Sequence, residues 1–393
     1  MITRDCLVRF RQLLRNFPVV CILGPRQCGK TTFIKSALPL WQYLDMEKPS
    51  DHTRLAADPE DAIHRLGSHF ILDEVQQVPQ LFPVIRNFVD ENRTRSGQIV
   101  LLGSASPVLI KHAAETLAGR IGFLDMTPFR CHEVIQSETR LTMEKLWFRG
   151  GFPDATLNKQ DAARLDWFDA YTRTFIERDL TVLGIDVSPI QMRKLWIMLA
   201  HFNGNIWNAS KLAASMGTSY HSVNRYTDIL EQTFLIRKLP PYFANISKRL
   251  IKSPKVYFRD TGLLHYFLNI HSELTLSTHP ARGESWEAFI IEELITAFAL
   301  YVPGTQAYYW RTSTGIEVDL MIMRDNRLIP FEVKLHSSPD KEAAKSLVSC
   351  MNDLALENAY LVYPGDEDYS LGNNITALGI QKLLADPKRI RRL

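Results

Sequence analysis

The chain has 393 residues, 46% of them hydrophobic and 23% charged, which is enough to build two or three ordinary globular domains. Its net charge of +3 excludes nucleic-acid binding driven by a global field, so any such contact needs a local basic patch. The five cysteines are odd in number and never at metal-ligand spacing, which excludes a disulfide framework and points to reduced thiols. The N-terminal stretch lacks the apolar segment of a secretory leader, and no apolar run approaches a membrane span, so the expectation is a cytoplasmic protein without a membrane partner.

Residues 3–16 predict a helix with Leu7, Phe10, Leu13 and Leu14 on one face. The run Val19-Val20-Cys21-Ile22-Leu23, between Pro18 and Gly24, predicts a strand buried on both faces. Glycine-rich residues and a helix over 31–37 follow. Further strands are expected at 41–46, 69–74, 98–104 and 122–126, separated by helices near 54–66, 80–92 and 107–117. That alternation predicts an α/β doubly wound parallel sheet. Beyond residue 135 the pattern turns helical, with one long helix over 166–180 and another over 188–202. Residues 206–240 read as helix, turn, helix and short strand, followed by a loop or hairpin to 259. A helix over 283–300 then leads into strands near 306–311, 316–323 and 328–335 and a closing αβ segment. The expected division is 1–135, 136–187, 188–276 and 277–393.

Gly24-Pro25-Arg26-Gln27-Cys28-Gly29-Lys30-Thr31 matches GxxxxGK[ST] in full, with Thr32 continuing into the helix. Glycines let the backbone wrap a phosphate with its N–H groups pointing inward. Lys30 then reaches the β/γ-phosphates of ATP and Thr31 carries Mg2+. A chance match in such a chain is on the order of 1 in 100, and this one sits between a strand and a helix as the chemistry requires. Asp73 ends the strand Phe70-Ile71-Leu72 and can hold Mg2+ through water, while Glu74 can polarise the attacking water. The plain alternative is a pair of acids in a solvated loop. Ser104 ends the strand LLGS and is either a γ-phosphate sensor or an ordinary strand-end serine. Arg26, Arg120 and Arg178 are candidates to stabilise transition-state charge, the last two in trans, or else surface ion-pair residues.

The motifs GPRQCGKTT, FILDEVQQVP, LLGSAS, LAGR, TPF and RGGFP, in this order, resemble those of AAA-type P-loop ATPases (AAA_14) that carry a C-terminal DUF4143 region. ERDL, KLAASMGTSYHSVNRYTDILEQTFLIRKLPPY, KVYFRDTGLL, GESWEAFIIEEL, YYWRTSTGIEVDL and IPFEVK extend the resemblance over nearly the whole chain. It implies ATP hydrolysis with Mg2+ and a homo-oligomer, a hexameric ring being one form. Cys28 departs from the small or aliphatic residue usual at its P-loop position, but a thiol fits there.

Residues 209–230 have helix–turn–helix form within an expected winged-helix module. Ser210 and Ser219 are candidate caps and Gly217 suits the turn. The second helix is expected to present Tyr220, His221, Asn224 and Arg225 outward, either to a major groove or to protein. Between Arg237 and Arg259 lie Lys238, Lys248, Arg249, Lys252 and Lys255 and no acid, interleaved with Tyr242, Phe243, Tyr257 and Phe258. Such a ribbon suits DNA phosphates, although a solvated hairpin with a buried aromatic face reads equally well. The basic tail 388–392 is expected to fray.

Glu287, Asp319, Glu332 and Lys334 resemble the acid set of PD-(D/E)xK nucleases, in a restriction-endonuclease-like α/β domain. Asp319 and Glu332 could hold Mg2+ from neighbouring strands. Lys334 shares a face with Glu332 and could orient water, and Glu287, or Glu284 one turn away, completes the set. The bare spacing turns up by chance about once in two such chains, so the surrounding helix and strands carry the expectation. Together these features predict either an ATP-driven translocase or remodeller of branched or structured DNA, or an ATP-gated signalling switch whose C-terminal domains bind protein.

Overall fold

The structure is a computed structural model. It describes residues 2–393 apart from 93–94, 105–112, 114, 140, 183–186 and 243–252. The side chains of Ser104 and Val182 also lie outside the description. The chain divides into two compact units: residues 1–129 with 180–185 and 232–234, and the remainder.

In the first unit, α1 (Leu7–Asn16) precedes β1 (Val19–Gly24), and α2 (Lys30–Ala37) follows it directly. Then come β2 (Gln42–Asp45), α3 (Pro49–Ala56), α4 (Pro59–Leu66), β3 (Phe70–Asp73), α5 (Leu81–Glu91), β4 (Ile99–Ser104) and β5 (Ile121–Asp125). The strands form one parallel sheet in the order β2-β3-β4-β1-β5. All six residues of β1 and all four of β3 are buried, as a parallel strand covered on both faces requires. Where one helix was expected over 54–66, two form. Pro59 has no N–H to continue the first, and the Asp58 carboxylate caps the second by accepting from Asp61 N. The expected helix over 107–117 falls mostly outside the described residues.

The second unit opens with helices Cys131–Ile135, Met143–Arg149, Pro153–Leu157 and Asp161–Thr174. The single helix expected over 166–180 is instead interrupted by a π-helical turn, Phe175–Asp179. Next come helix Pro189–His201, β6 (Asn205–Ile206), helices Ala209–Met216 and Tyr220–Gln232, β7 (Ile236–Leu239) and β8 (Lys255–Phe258). These strands form a small antiparallel sheet in the order β6-β8-β7. Gly217 ends the first helix of the pair at φ 65°, and Ser219 Oγ accepts from Ser222 N at 3.0 Å. The first helix is capped by Asn208, which accepts from Lys211 N, and not by Ser210, which lies one residue inside it.

Helices Thr261–Phe267 and Glu273–Thr278 then lead to the 20-residue helix Arg282–Tyr301. After it come β9 (Gln306–Arg311), β10 (Glu317–Arg324), β11 (Arg327–Val333), helix Lys345–Leu354, β12 (Ala359–Tyr363), β13 (Tyr369–Gly372) and β14 (Ile375–Gly379). They make a mixed sheet in the order β13-β14-β12-β11-β10-β9, antiparallel through β9-β10-β11 and parallel from β11 through β12 to β14. The basic tail does not fray. Ile390 is fully buried, Arg389 pairs with Asp368, and Arg391 Nε donates to Tyr301 O.

A buried polar knot joins two of the quoted motifs. The Asp260 carboxylate accepts from Gly151 N at 2.7 Å and Leu263 N at 2.8 Å. A Cβ on Gly150 would lie 2.3 Å from that carboxylate, and one on Gly262 would lie 2.1 Å from Arg149 O. Close approach therefore fixes glycine in both RGG and DTG. Beside them, Trp147 Nε1 donates to Ser285 Oγ, which sits 2.6 Å from His265 Nε2, and His265 Nδ1 lies 2.9 Å from Phe148 O. A carbonyl only accepts, so Nδ1 carries the proton and Nε2 accepts from Ser285.

Candidate functional sites in the two units

The loop between β1 and α2 is shaped by two local demands. A Cβ on Gly24 would stand 2.2 Å from Met126 O, and Gly29 takes φ 95°. Lys30 emerges at the start of α2, and its Nζ donates to Gly24 O and Pro25 O, both at 3.0 Å. No acid occupies the first turn of α2, so its positive end is not neutralised from within. Arg26 reaches Glu47 at 3.2 Å, Gln27 is exposed at φ 58°, Thr32 is exposed, and Cys28 is buried with its Sγ 3.7 Å from Met126 O. Arg4 braces the loop, donating to Cys28 O at 3.0 Å and to Thr127 O and Pro128 O.

Across the sheet, Thr31 Oγ1 donates to Asp73 Oδ2 at 2.7 Å. Tyr43, at the second position of β2, donates its hydroxyl to the same oxygen at 2.6 Å. Burial and this bond to Asp73 push the Tyr43 phenol well above its ordinary pKa. The Asp73 Oδ1 atom accepts from Glu74 N. Glu74 is left-handed, at φ 50°, and Gln76 Nε2 donates to its carboxylate. Ser104 ends β4, with its backbone level with Gly24, between β1, which leads into the glycine loop, and β3, which ends in Asp73. Arg120 grips Asp90 through Nε at 2.6 Å and a terminal nitrogen at 2.9 Å. Arg178 is exposed on the π-helical turn of the second unit.

Sequence reasoning missed Tyr43, Gln76 and Arg4. Gln76 lay inside a quoted motif, whereas nothing local in the sequence aims Tyr43 or Arg4 at their targets. The residues present fit a nucleotide and a divalent ion. Gly24 admits no side chain, the loop lysine is held among the described residues by neutral carbonyls, and a threonine hydroxyl and a carboxylate face each other at 2.7 Å.

The acid set of the second unit also assembles, around a residue that was not expected there. A bulge in β10 between Val318 and Met321 re-aims Asp319, whose Oδ2 accepts from Val333 N at 2.8 Å. Lys334 Nζ bonds Glu332 Oε1 at 2.6 Å. Glu287 turns toward the strands, whereas Glu284 is exposed. Lys255, the first residue of β8, lies in the middle and is 2% exposed. Its Nζ meets Glu287 at 3.1 Å, Asp319 at 3.8 Å and the Glu317 carboxylate. Tyr257 donates to Glu287 at 2.6 Å, and Arg311 pairs with Glu317 at 2.6 Å.

Burial, then Glu287 and Glu332, raises the Asp319 carboxyl well above the usual range, and burial likewise raises Glu332. Burial works against the Lys255 charge, but Tyr257 and the surrounding acids outweigh it and hold its pKa high. Among the described residues the buried Glu332 Oε2 accepts no hydrogen bond. Among the described residues no group of three or more His, Cys, Asp or Glu side chains is placed to hold a metal ion. In this arrangement the charge facing Glu287 and Asp319, two of the three residues expected to hold Mg2+, is the Lys255 ammonium.

The basic ribbon is also corrected in part. Arg237 and Arg259 both clasp the buried Glu292, Lys238 pairs with Asp228 and Glu231, and Lys255 is buried as above. The neutralising acids lie outside the segment, which is why the segment alone looked bare. Lys248, Arg249, Lys252 and Phe243 lie outside the described residues. Tyr257 and Phe258 are buried and Tyr242 packs edge-on to Tyr308. On the second helix of the pair, Tyr220, His221 and Arg225 are exposed, but Asn224 accepts from Trp207 Nε1 at 2.9 Å instead of facing outward.

A parallel sheet with β4 between β3, which ends in Asp73, and β1, which runs into the glycine loop, defines the P-loop NTPase fold. Residues 16–135 match the AAA domain family (AAA_14), and residues 282–383 match a domain of unknown function, DUF4143. Residues 140–274 match a second domain of unknown function, DUF8612. The chain belongs to the AAA-type P-loop ATPases that carry a C-terminal DUF4143 domain. It is 38% identical over 384 residues to proteins of Mycobacterium tuberculosis and Mycobacterium bovis, both described as uncharacterised, covering 97% of this chain and 84% of theirs. Among solved structures it is similar to a Walker-type ATPase of Pyrococcus abyssi at 14% identity and TM-score 0.46, covering 68% of this chain and 96% of that one. Among the described residues no helix is long and apolar enough to cross a membrane.

Proposed function

We propose that the protein hydrolyses Mg-ATP at Lys30, Thr31, Asp73 and Glu74, as a homo-oligomer whose second unit engages branched or structured DNA. The observation that carries the ATPase half is the Thr31–Asp73 contact of 2.7 Å beside a lysine bound, among the described residues, to two neutral carbonyls. Lys30 exchanges Gly24 O and Pro25 O for phosphate oxygens, since a charged acceptor outbids a neutral one. Thr31 and Asp73 would hold Mg2+, which supplies charge neutralisation at the phosphates. Glu74, fixed by Gln76, takes a proton from the water that attacks the terminal phosphorus, and the bond to the bridging oxygen breaks to give ADP and phosphate. Tyr43 holds Asp73 against rotation. Arg120 serves a neighbouring protomer only by leaving Asp90, and Arg178 is exposed on its turn.

Support for the DNA half is the helix pair backed by a three-stranded sheet, with Lys211, Tyr220, His221 and Arg225 exposed on it. The succession of one helix, three strands, one helix and one strand in the mixed sheet is the layout the nuclease-like reading requires. Ion pairing of every described cation in the 237–259 ribbon favours the second reading, an ATP-gated switch whose second unit binds protein. Binding to fork, four-way-junction and duplex DNA, titrated with salt, separates the two. A steep inverse dependence on salt supports DNA engagement, and no binding at low salt leaves the switch. Phosphate release by Lys30→Ala tests the ATPase half, and retained turnover would remove it.

A further inference from the structure

The acid cluster of the second unit is built by elements far apart in sequence. Glu287 comes from the helix Arg282–Tyr301, Glu317 and Asp319 from β10, and Glu332 from β11. The cation among them comes from β8, the middle strand of the small sheet behind the helix pair. An ammonium has three N–H donors and no acceptor, so it suits a pocket of carboxylate oxygens. Lys255 Nζ has Glu287, Glu317 and Asp319 within 4 Å, and Tyr257 from the same strand donates to Glu287 from the side. The remaining charges are matched from within: Arg311 pairs with Glu317 and Lys334 with Glu332. Four carboxylates therefore meet three cations without any ion from solution.

We infer that Lys255 is the resident cation of this cluster, standing where a divalent ion would have to sit, so that the C-terminal domain takes no Mg2+ or Mn2+ while β8 is in place. A divalent ion at the same point would place two positive charges within a few ångströms of an ammonium that is itself 3% exposed at the side chain. The lysine also satisfies carboxylate oxygens that a metal would need as ligands. The module that carries the helix pair thus supplies the plug of the acid site. Metal-assisted phosphodiester hydrolysis there requires that this lysine leave.

Mn2+ binding to the nucleotide-free full-length protein tests the inference, read as loss of the free-ion paramagnetic resonance signal. An Asp73→Asn background removes any contribution from the P-loop site. Protein with Lys255 intact is expected to show no bound Mn2+ that depends on Asp319, and Lys255→Arg should stay equally free of it. Lys255→Met should gain about one Mn2+ per chain, and adding Asp319→Asn should abolish the gain. The Lys255→Met unfolding midpoint should fall by about 10 °C and recover in millimolar Mn2+. The inference is overturned if the Lys255 protein binds Mn2+ that Asp319→Asn removes. A Lys255→Met protein that keeps its circular dichroism and gains no ion also overturns it. If Lys255→Met does not fold, the Asp319-dependence of the Lys255 protein decides alone.

Discussion

Lys30 and Lys255 are both nearly buried lysines at the start of a secondary-structure element, and they differ in what holds them. Lys30 bonds two neutral main-chain carbonyls within six residues of itself. Lys255 is surrounded by carboxylates 32 to 64 positions away. A lysine resting on carbonyls keeps its charge for an incoming anion, whereas one resting on carboxylates is already neutralised. The first unit is accordingly a site with its partners outside the chain, and the second is a core whose charges close on themselves. Substitutions in the first should strike activity and leave stability, and those in the second should do the reverse.

The largest effect is expected at Lys30. Its replacement by alanine should lower steady-state phosphate release by about 10³-fold or more, with the thermal midpoint nearly unmoved, because its present bonds are to carbonyls that water can serve. The sharpest contrast is Glu292→Ala. It removes the buried carboxylate that Arg237 and Arg259 share and leaves a hole, and should cost about 3–5 kcal/mol by urea unfolding of the second unit.

His265 gives a pH test of the same contrast. Burial depresses its imidazole to about 4. The unfolded chain therefore binds a proton that the native chain refuses, and stability falls as pH drops from about 6.5 toward 4. Burial raises Asp260 to about 6, so its ionised form destabilises the fold above that value and the penalty is relieved over nearly the same pH range. The two offset each other in the native protein. Replacing His265 with Asn should remove one side, so the variant's stability relative to the parent rises by about 3 kcal/mol between pH 7 and 4. A parallel pair of curves would refute the assignment. The smallest effect is Tyr43→Phe, which removes one of the two hydrogen bonds to Asp73 Oδ2 and should raise the Mg2+ concentration for half-maximal ATPase by about fivefold with little change in stability.

What was legible in the sequence follows the same divide. The glycine loop and the alternation of strands and helices were readable because each is written within a few consecutive residues. The two helices of the pair were equally plain, though Asn208 rather than Ser210 caps the first. The break at Phe175–Asp179 left no proline or glycine to announce it. The ribbon from Arg237 to Arg259 was misjudged because each neutralising acid lies outside it, in Asp228, Glu231, Glu287, Glu292, Glu317 and Asp319. Tyr43 was invisible for a related reason: its target is 30 residues away on a neighbouring strand.

The distribution of counter-charges in the second unit also limits where a gene could be cut. A recombinant piece beginning near residue 277 would inherit Glu287, Glu292 and Asp319 but leave Arg237, Lys255 and Arg259 on the discarded side. Such a piece would carry a cargo of unmatched negative groups into its own interior. The boundary suggested by family matching is therefore a poor place for cloning, and shuffling this C-terminal sheet onto another carrier would require the preceding helix pair and its strands to travel with it.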